Sequence, residues 1–304
     1  MESPLTPTQA LIVEQLRRPD IAPPAFEADL ADQLTEAIED ELSSLADLSP
    51  TKNLFISKHP LSTIHACEAH YLATSTSFEW SIPTARGSVA HRAIELSIHW
   101  RGEAVPLELV DEAIARMVDE TRGPGAWLAT LREADRAQLR SEVGDLVTKF
   151  MECFPPLKPV WRPVSEGGVY HDLLGGALTL QGKPDLTLGQ APDKVIIDFK
   201  TGRPALAHRD DLRFYALVET LARRVPPRLT GTLYLDAARV ETEAVSSGAL
   251  WAAARRMVDA VTKIIEVERQ GRVAARSAGP MCRWCPLMDE CDEGRVYLAG
   301  LDDY

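Results

Sequence analysis

Two short runs, Gly182-Lys183-Pro184-Asp185 and Val195-Ile196-Ile197-Asp198-Phe199-Lys200, constrain this chain more than any other feature. The second is an apolar strand that ends in an acid and a base. Charges beside a core are tolerated only when they are paired or bound to a metal. Two carboxylates and an ammonium aimed at one point by adjoining strands suit a divalent cation and a phosphodiester together. Mg²⁺ and Mn²⁺ prefer oxygen ligands, and a lysine steadies a phosphate or an attacking water. The pattern points to metal-dependent phosphodiester hydrolysis, against a plainer reading of solvated charges on a hairpin.

The cysteines carry a second signal. Cys282, Cys285 and Cys291 form C-x₂-C-x₅-C, and Cys67 stands alone far upstream. The opening residues show no basic stretch followed by a long apolar run, so a cytoplasmic chain with reduced thiols is expected. Four thiolates suit an iron–sulfur cluster or a structural zinc, and the distant fourth ligand favours iron–sulfur over paired zinc knuckles. Joining residue 67 to residue 282 closes a loop worth on the order of 5 kcal/mol in the chain-entropy view of cross-links, so the role reads as structural first and redox-sensing second. Cys153, beside Phe154-Pro155-Pro156, reads as a small buried apolar residue, and Trp284 as a shield for the cysteines around it.

Around these lie Gly87-Ser88-Val89-Ala90-His91-Arg92-Ala93-Ile94-Glu95, with His91 and Glu95 on one helical face, and Asp211-Leu212-Arg213-Phe214-Tyr215. Together the segments resemble the RecB-type branch of the PD-(D/E)xK nuclease superfamily, whose pattern runs G-x-x-x-H-x-x-x-E, G-x-x-D, D-x-K-T-G and Q-x-x-x-Y. Asp198-Phe199-Lys200-Thr201-Gly202 matches the third element fully, and Asp211 stands where the family has glutamine. One cysteine before these motifs and three after them is similar to the iron–sulfur nucleases of the AddB exonuclease-domain and CRISPR-adaptation type, over about residues 60–293.

The resemblance implies an α/β fold with a restriction-endonuclease-like core, a mixed central sheet flanked by helices. It further implies a helical insertion and a C-terminal segment stapled by a 4Fe-4S cluster on Cys67, Cys282, Cys285 and Cys291. The implied activity is that of an Mg²⁺- or Mn²⁺-dependent deoxyribonuclease, with exonuclease action expected, in repair, recombination or defence. Its substrate would be single-stranded DNA or an end-containing duplex. His91, Asp185, Asp198 and the Phe199 carbonyl would hold the metal, with Lys200 orienting the water. Tyr215 would position that lysine or the DNA backbone, and Glu95 would support His91. Two alternatives stand beside this: a catalytically inactive DNA-binding or scaffolding subunit, and a zinc-stapled hydrolase of another phosphate ester.

At 304 residues and 45% apolar, the chain can bury a sizeable core, and no apolar run approaches the ~20 residues that cross a bilayer. A net charge of −12 argues against binding phosphate until its distribution is considered. Residues 1–50 hold eleven acids against Arg17 and Arg18, whereas residues 203–283 hold fourteen basic residues against nine acidic ones. Arg203, Arg209, Arg213, Arg255 and Arg256 are the candidates for DNA phosphates.

Phe26, Leu30, Leu34, Ile38, Leu42 and Leu45 make an apolar stripe on an acidic helix bounded by Pro23-Pro24 and Ser49-Pro50. Residues 1–50 thus read as an acidic amphipathic appendage that covers the core, docks a protein partner or screens a basic DNA groove. Residues 51–304 read as the nuclease domain. Helices are expected at 61–72, 85–100, 107–150 with a break at Gly123-Pro124-Gly125, 210–224 and 249–270. Strands are expected at 160–164, 169–173, 177–188, 194–199, 232–236 and 240–245.

Overall fold

The computed structural model describes residues 4–18, 24–45, 48–75, 79–120 and 123–302. Helices α1 (Pro7–Arg17) and α2 (Leu30–Leu42) precede β1 (Leu54–Ile56), α3 (Lys58–Ala66), α4 (Glu68–Ser75) and α5 (Ile82–His99). A helical insertion follows, made of α6 (Pro106–Glu120), α7 (Gly125–Ala129) and α8 (Glu133–Cys153). Then come β2 (Val164–Ser165), β3 (Val169–Leu173), β4 (Leu178–Gly182), β5 (Leu186–Leu188) and β6 (Val195–Lys200). The chain continues through α9 (Leu206–Arg223), β7 (Leu229–Tyr234), β8 (Arg239–Ala244), α10 (Ser247–Glu268) and α11 (Asp292–Asp302).

The strands form two sheets, β1-β4-β3 and β2-β5-β6-β7-β8. In the larger one β6 and β7 run parallel, joined by α9, and the other pairs are antiparallel. Helices cover both faces, the mixed arrangement expected from the sequence. The period of two along β6 divides its side chains between two cores. Val195, Ile197 and Phe199 pack with α1, α5, α6 and α8, while Ile196 packs with α2, α9, α10 and the smaller sheet. Asp198 and Lys200 share the face of Ile196, and so point toward α9.

The expected strand over 177–188 is two strands in different sheets. Pro184 has no backbone N–H to continue a ladder, and the chain leaves the smaller sheet at Gly182 to join the larger at Leu186. The expected helix over 61–72 is likewise divided, because Cys67 adopts an extended backbone between α3 and α4. Residues 159–161 form a 3₁₀ turn ahead of the two-residue β2, in place of a full strand. The break at Gly123-Pro124-Gly125 is observed, and a Cβ on Gly125 would fall 1.8 Å from the Met117 carbonyl oxygen, so only glycine lets α7 approach α6.

The acidic helix is integrated into the fold. Leu30, Leu34, Ile38 and Leu42 are buried against α9 and α10, with Phe26 and Leu45 at the margin. Asp32 pairs with Arg224, and a Glu39 carboxylate oxygen accepts the Leu174 N–H at 2.6 Å. The stripe therefore belongs to the core and is not presented to a partner or a DNA groove; Pro23 lies outside the described residues. No described helix is long and apolar enough to cross a membrane.

Leu34 is fully buried and Leu11 is 53% exposed. Leu34→Ala should lower the unfolding free energy by about 2–5 kcal/mol in a urea titration, and Leu11→Ala by less than about 0.5 kcal/mol.

Candidate metal and phosphate site

Pairing between β5 and β6 stops at Leu186 opposite Ile197. The next outward-facing donor on β6, the Phe199 N–H, is taken by Asp185 Oδ2 at 2.5 Å. A strand residue's N–H and C=O face the same edge, so the Phe199 carbonyl is directed to this side as well. The other oxygen, Asp185 Oδ1, lies 2.8 Å from His91 Nδ1 on α5. Burial would push the His91 imidazole down, but the Asp185 carboxylate outweighs it and raises its pKa. Glu166, in the turn between β2 and β3, completes a group in which one ligand atom each from His91, Glu166 and Asp185 lie within 4.8 Å of one another. Burial pushes the Glu166 carboxyl up against the pull of Lys183, 2.6 Å away.

Asp198 is fully buried beside this group and faces two lysines. Lys58 Nζ donates to Oδ1 at 3.0 Å. Lys200 Nζ forms an ion pair with Oδ2 at 2.6 Å. Burial alone would raise the Asp198 carboxyl, but Lys58 and then Lys200 outweigh it and hold it at about 2. Asp211, at the position where glutamine was expected, sits 3.3 Å from Lys200 Nζ and accepts the Ser62 hydroxyl at 2.7 Å. Tyr215 is buried, and its ring centroid is 5.2 Å from Lys58 Nζ. The lysine it contacts is thus Lys58, where Lys200 was expected.

Among the described residues Glu95 forms no hydrogen bond or ion pair with His91. Its carboxylate is 2.7 Å from Arg92, which also binds Glu120, so its charge is taken up by an ion-pair network. Arg213 is held by both Glu243 oxygens, and Arg256 Nε lies 3.8 Å from Asp210. Arg203, Arg209 and Arg255 are exposed and have no side-chain partner among the described residues. Arg209 lines a cavity of about 220 Å³ between α9, β7 and β8 with Thr232 and Tyr234. Those two residues are the register partners of Asp198 and Lys200, so the cavity adjoins the lysine side of the site.

The cysteines gather elsewhere. Cys67, Cys282, Cys285 and Cys291 line one cavity with His70, Met281 and Met288. Backbone N–H groups of Ser277 and Gly279 donate to Cys67 and Cys282 Sγ, each at 3.4 Å. A Cβ on Gly294 would meet Cys282 Sγ at 3.4 Å and Cys291 Sγ at 3.5 Å, crowding the space between them. Burial and the three neighbouring thiols push the Cys285 thiol up. Next to Cys67, buried Glu68 accepts two bonds from Arg272, at 2.8 and 3.0 Å, and the Ala275 N–H at 2.8 Å. Cys153 is apart and buried, its thiol pushed up to about 11 by desolvation. Trp284 is 70% exposed and does not shield the cavity.

A family model described as the PD-(D/E)XK nuclease superfamily matches residues 56–292. This chain belongs to that superfamily. Its fold is accordingly the restriction-endonuclease-like one, the site lying at the β5–β6 end where the superfamily acids fall. Among solved structures, it is similar to a candidate exonuclease from Eubacterium rectale, at 10% identity over 82% of this chain and 91% of that one, with a TM-score of 0.45. It is also similar to SSO0001, at 12% identity over 69% and 96% of the two chains, with a TM-score of 0.32. No curated protein matches.

Two residues gathered at this candidate site were not marked by the sequence. Glu166 stands in a turn before Gly167-Gly168 and Lys58 opens a helix, and neither has a spacing that marks it. The test is metal binding. Glu166→Ala should weaken Mn²⁺ binding about 10- to 100-fold in calorimetry, whereas Glu95→Gln should change it by less than about twofold.

Proposed function

We propose that this protein is a divalent-metal-dependent deoxyribonuclease. The observation that carries the reading is the group of His91, Glu166 and Asp185, one ligand atom each within 4.8 Å of one another, beside the fully buried Asp198 carboxylate. Carboxylates drawn this close repel one another unless a cation lies among them. The donor set of carboxylates, one imidazole and one carbonyl suits Mg²⁺ or Mn²⁺. Asp185, Asp198, His91 and Glu166, with the Phe199 carbonyl, would hold it. Bound there, the metal supplies a lowered water pKa and charge neutralisation at phosphorus.

The chain's own residues do the rest. Lys200, 17% exposed and braced by Asp211, presents an ammonium to the transition-state charge or to the attacking water. Arg203 and Arg209 extend the cationic track beyond it, gripping the DNA backbone without reading bases. Exonuclease action on single strands or duplex ends, in repair, recombination or defence, rests on the RecB-type motif set, as does the likeness to AddB-type nucleases.

We also propose an iron–sulfur cluster on Cys67, Cys282, Cys285 and Cys291. What supports it is the shared cavity and the N–H···S bonds, which suit thiolate ligands. A cytoplasmic location fits reduced thiols.

End-labelled single- and double-stranded DNA should be cut with Mn²⁺ or Mg²⁺ and spared with EDTA. Lys200→Ala and Asp198→Ala should each lower cleavage by about 10²-fold or more while retaining visible cluster absorbance. Undiminished cutting by either variant sinks the site. Cys67→Ser should bleach the protein and lower its melting temperature as Cys285→Ser does; full iron and sulfide in the Cys67 variant would remove that residue from the ligand set.

A further inference from the structure

The geometry points to Lys58 as a phosphate-binding residue of this centre, parked on Asp198 until a divalent cation occupies that carboxylate. The inference rests on the nuclease reading above. Each oxygen of Asp198 faces an ammonium, Lys58 on Oδ1 at 3.0 Å and Lys200 on Oδ2 at 2.6 Å. One carboxylate needs only one of them for neutrality. Lys200 has a second acid, Asp211, at 3.3 Å. Among the described residues Lys58 has no other ion-pair partner, only the Tyr215 ring beneath it. It is therefore the exchangeable one of the two. Its side chain is 27% exposed, whereas that of Asp198 is fully buried.

Helix energetics do not account for a lysine here. Lys58 is the first residue of α3, where an ammonium opposes the helix macrodipole, and Ser57 adds no side-chain cap. An ammonium beside uncapped helix N–H groups does suit an anion. Once Asp198 is neutralised by a bound cation, Lys58 loses its partner, and a phosphate oxygen of the DNA is the anion that replaces it. Lys58 then has two opposed effects: it competes with the metal in the absence of DNA and binds phosphate in its presence.

The full-length protein tests this with two readouts, Mn²⁺ binding in the absence of DNA and cleavage of an end-labelled oligonucleotide. Lys58→Met should bind Mn²⁺ about three- to tenfold more tightly than the unsubstituted protein, because a competing state is removed, yet cut DNA at least about tenfold more slowly. Lys58→Arg should recover much of the cutting. Should Lys58→Met fail to fold, Lys58→Gln, which keeps a donor toward Asp198, is read by the same two measurements. Unchanged or weaker Mn²⁺ binding, or undiminished cleavage, overturns the inference alone. An unsubstituted protein that neither binds Mn²⁺ nor cuts DNA overturns the nuclease reading and the inference with it.

Discussion

The bond from the Phe199 N–H to Asp185 Oδ2 is the contact on which the site depends. A buried backbone N–H must find an acceptor, and here the side chain of Asp185 supplies what a longer β5 would have supplied. That one bond fixes Asp185 against the edge of β6, turns its second oxygen to His91 and keeps the edge open for the Phe199 carbonyl. It works because Pro184 ends one sheet and Leu186 begins the other. The centre thus sits at the seam where the two sheets part, with α5 bringing His91 from one side and α9 bringing Asp211 and Tyr215 from the other.

Asp198 shows what the fold tolerates to keep such a centre. A fully buried carboxylate is costly unless paired, and Lys58 and Lys200 supply the pairing. With its pKa held below the ordinary 3.8, at about 2, the ionised form stabilises the fold at neutral pH. That contribution is complete above the ordinary value and is lost as pH falls through about 2. The ionised, buried state that stabilises the protein is also the one that ligates a cation.

Far from the strands, the extended backbone at Cys67 turns a helical surface into a docking point. The thiol faces the C-terminal segment, and Glu68 clamps Arg272 and Ala275 of the same segment. Main-chain, ion-pair and thiol contacts thus converge on one junction between regions some two hundred residues apart in sequence. Closing so long a loop costs chain entropy, which these native contacts offset together.

The β6 strand, its Asp198 and Lys200, the Asp185 turn, the His91 helix and the cysteine spacing were all legible along the chain, because short-range periodicity and fixed local spacing encode them. So was the apolar stripe of α2, though not its burial, since a stripe shows that a helix must pack without naming its partner. Lys58, Glu166 and the separation of Glu95 from His91 were not legible. Residue 58 meets residue 198, and residue 166 meets residues 91 and 185, only after strands have paired and sheets have diverged. Residue 95 shares a helical face with His91, but the nearer Arg92 takes its charge. Local rules specify which elements form and which faces they bury; which charges meet across 140 residues is settled by packing, where desolvation makes each buried charge find the nearest opposite one.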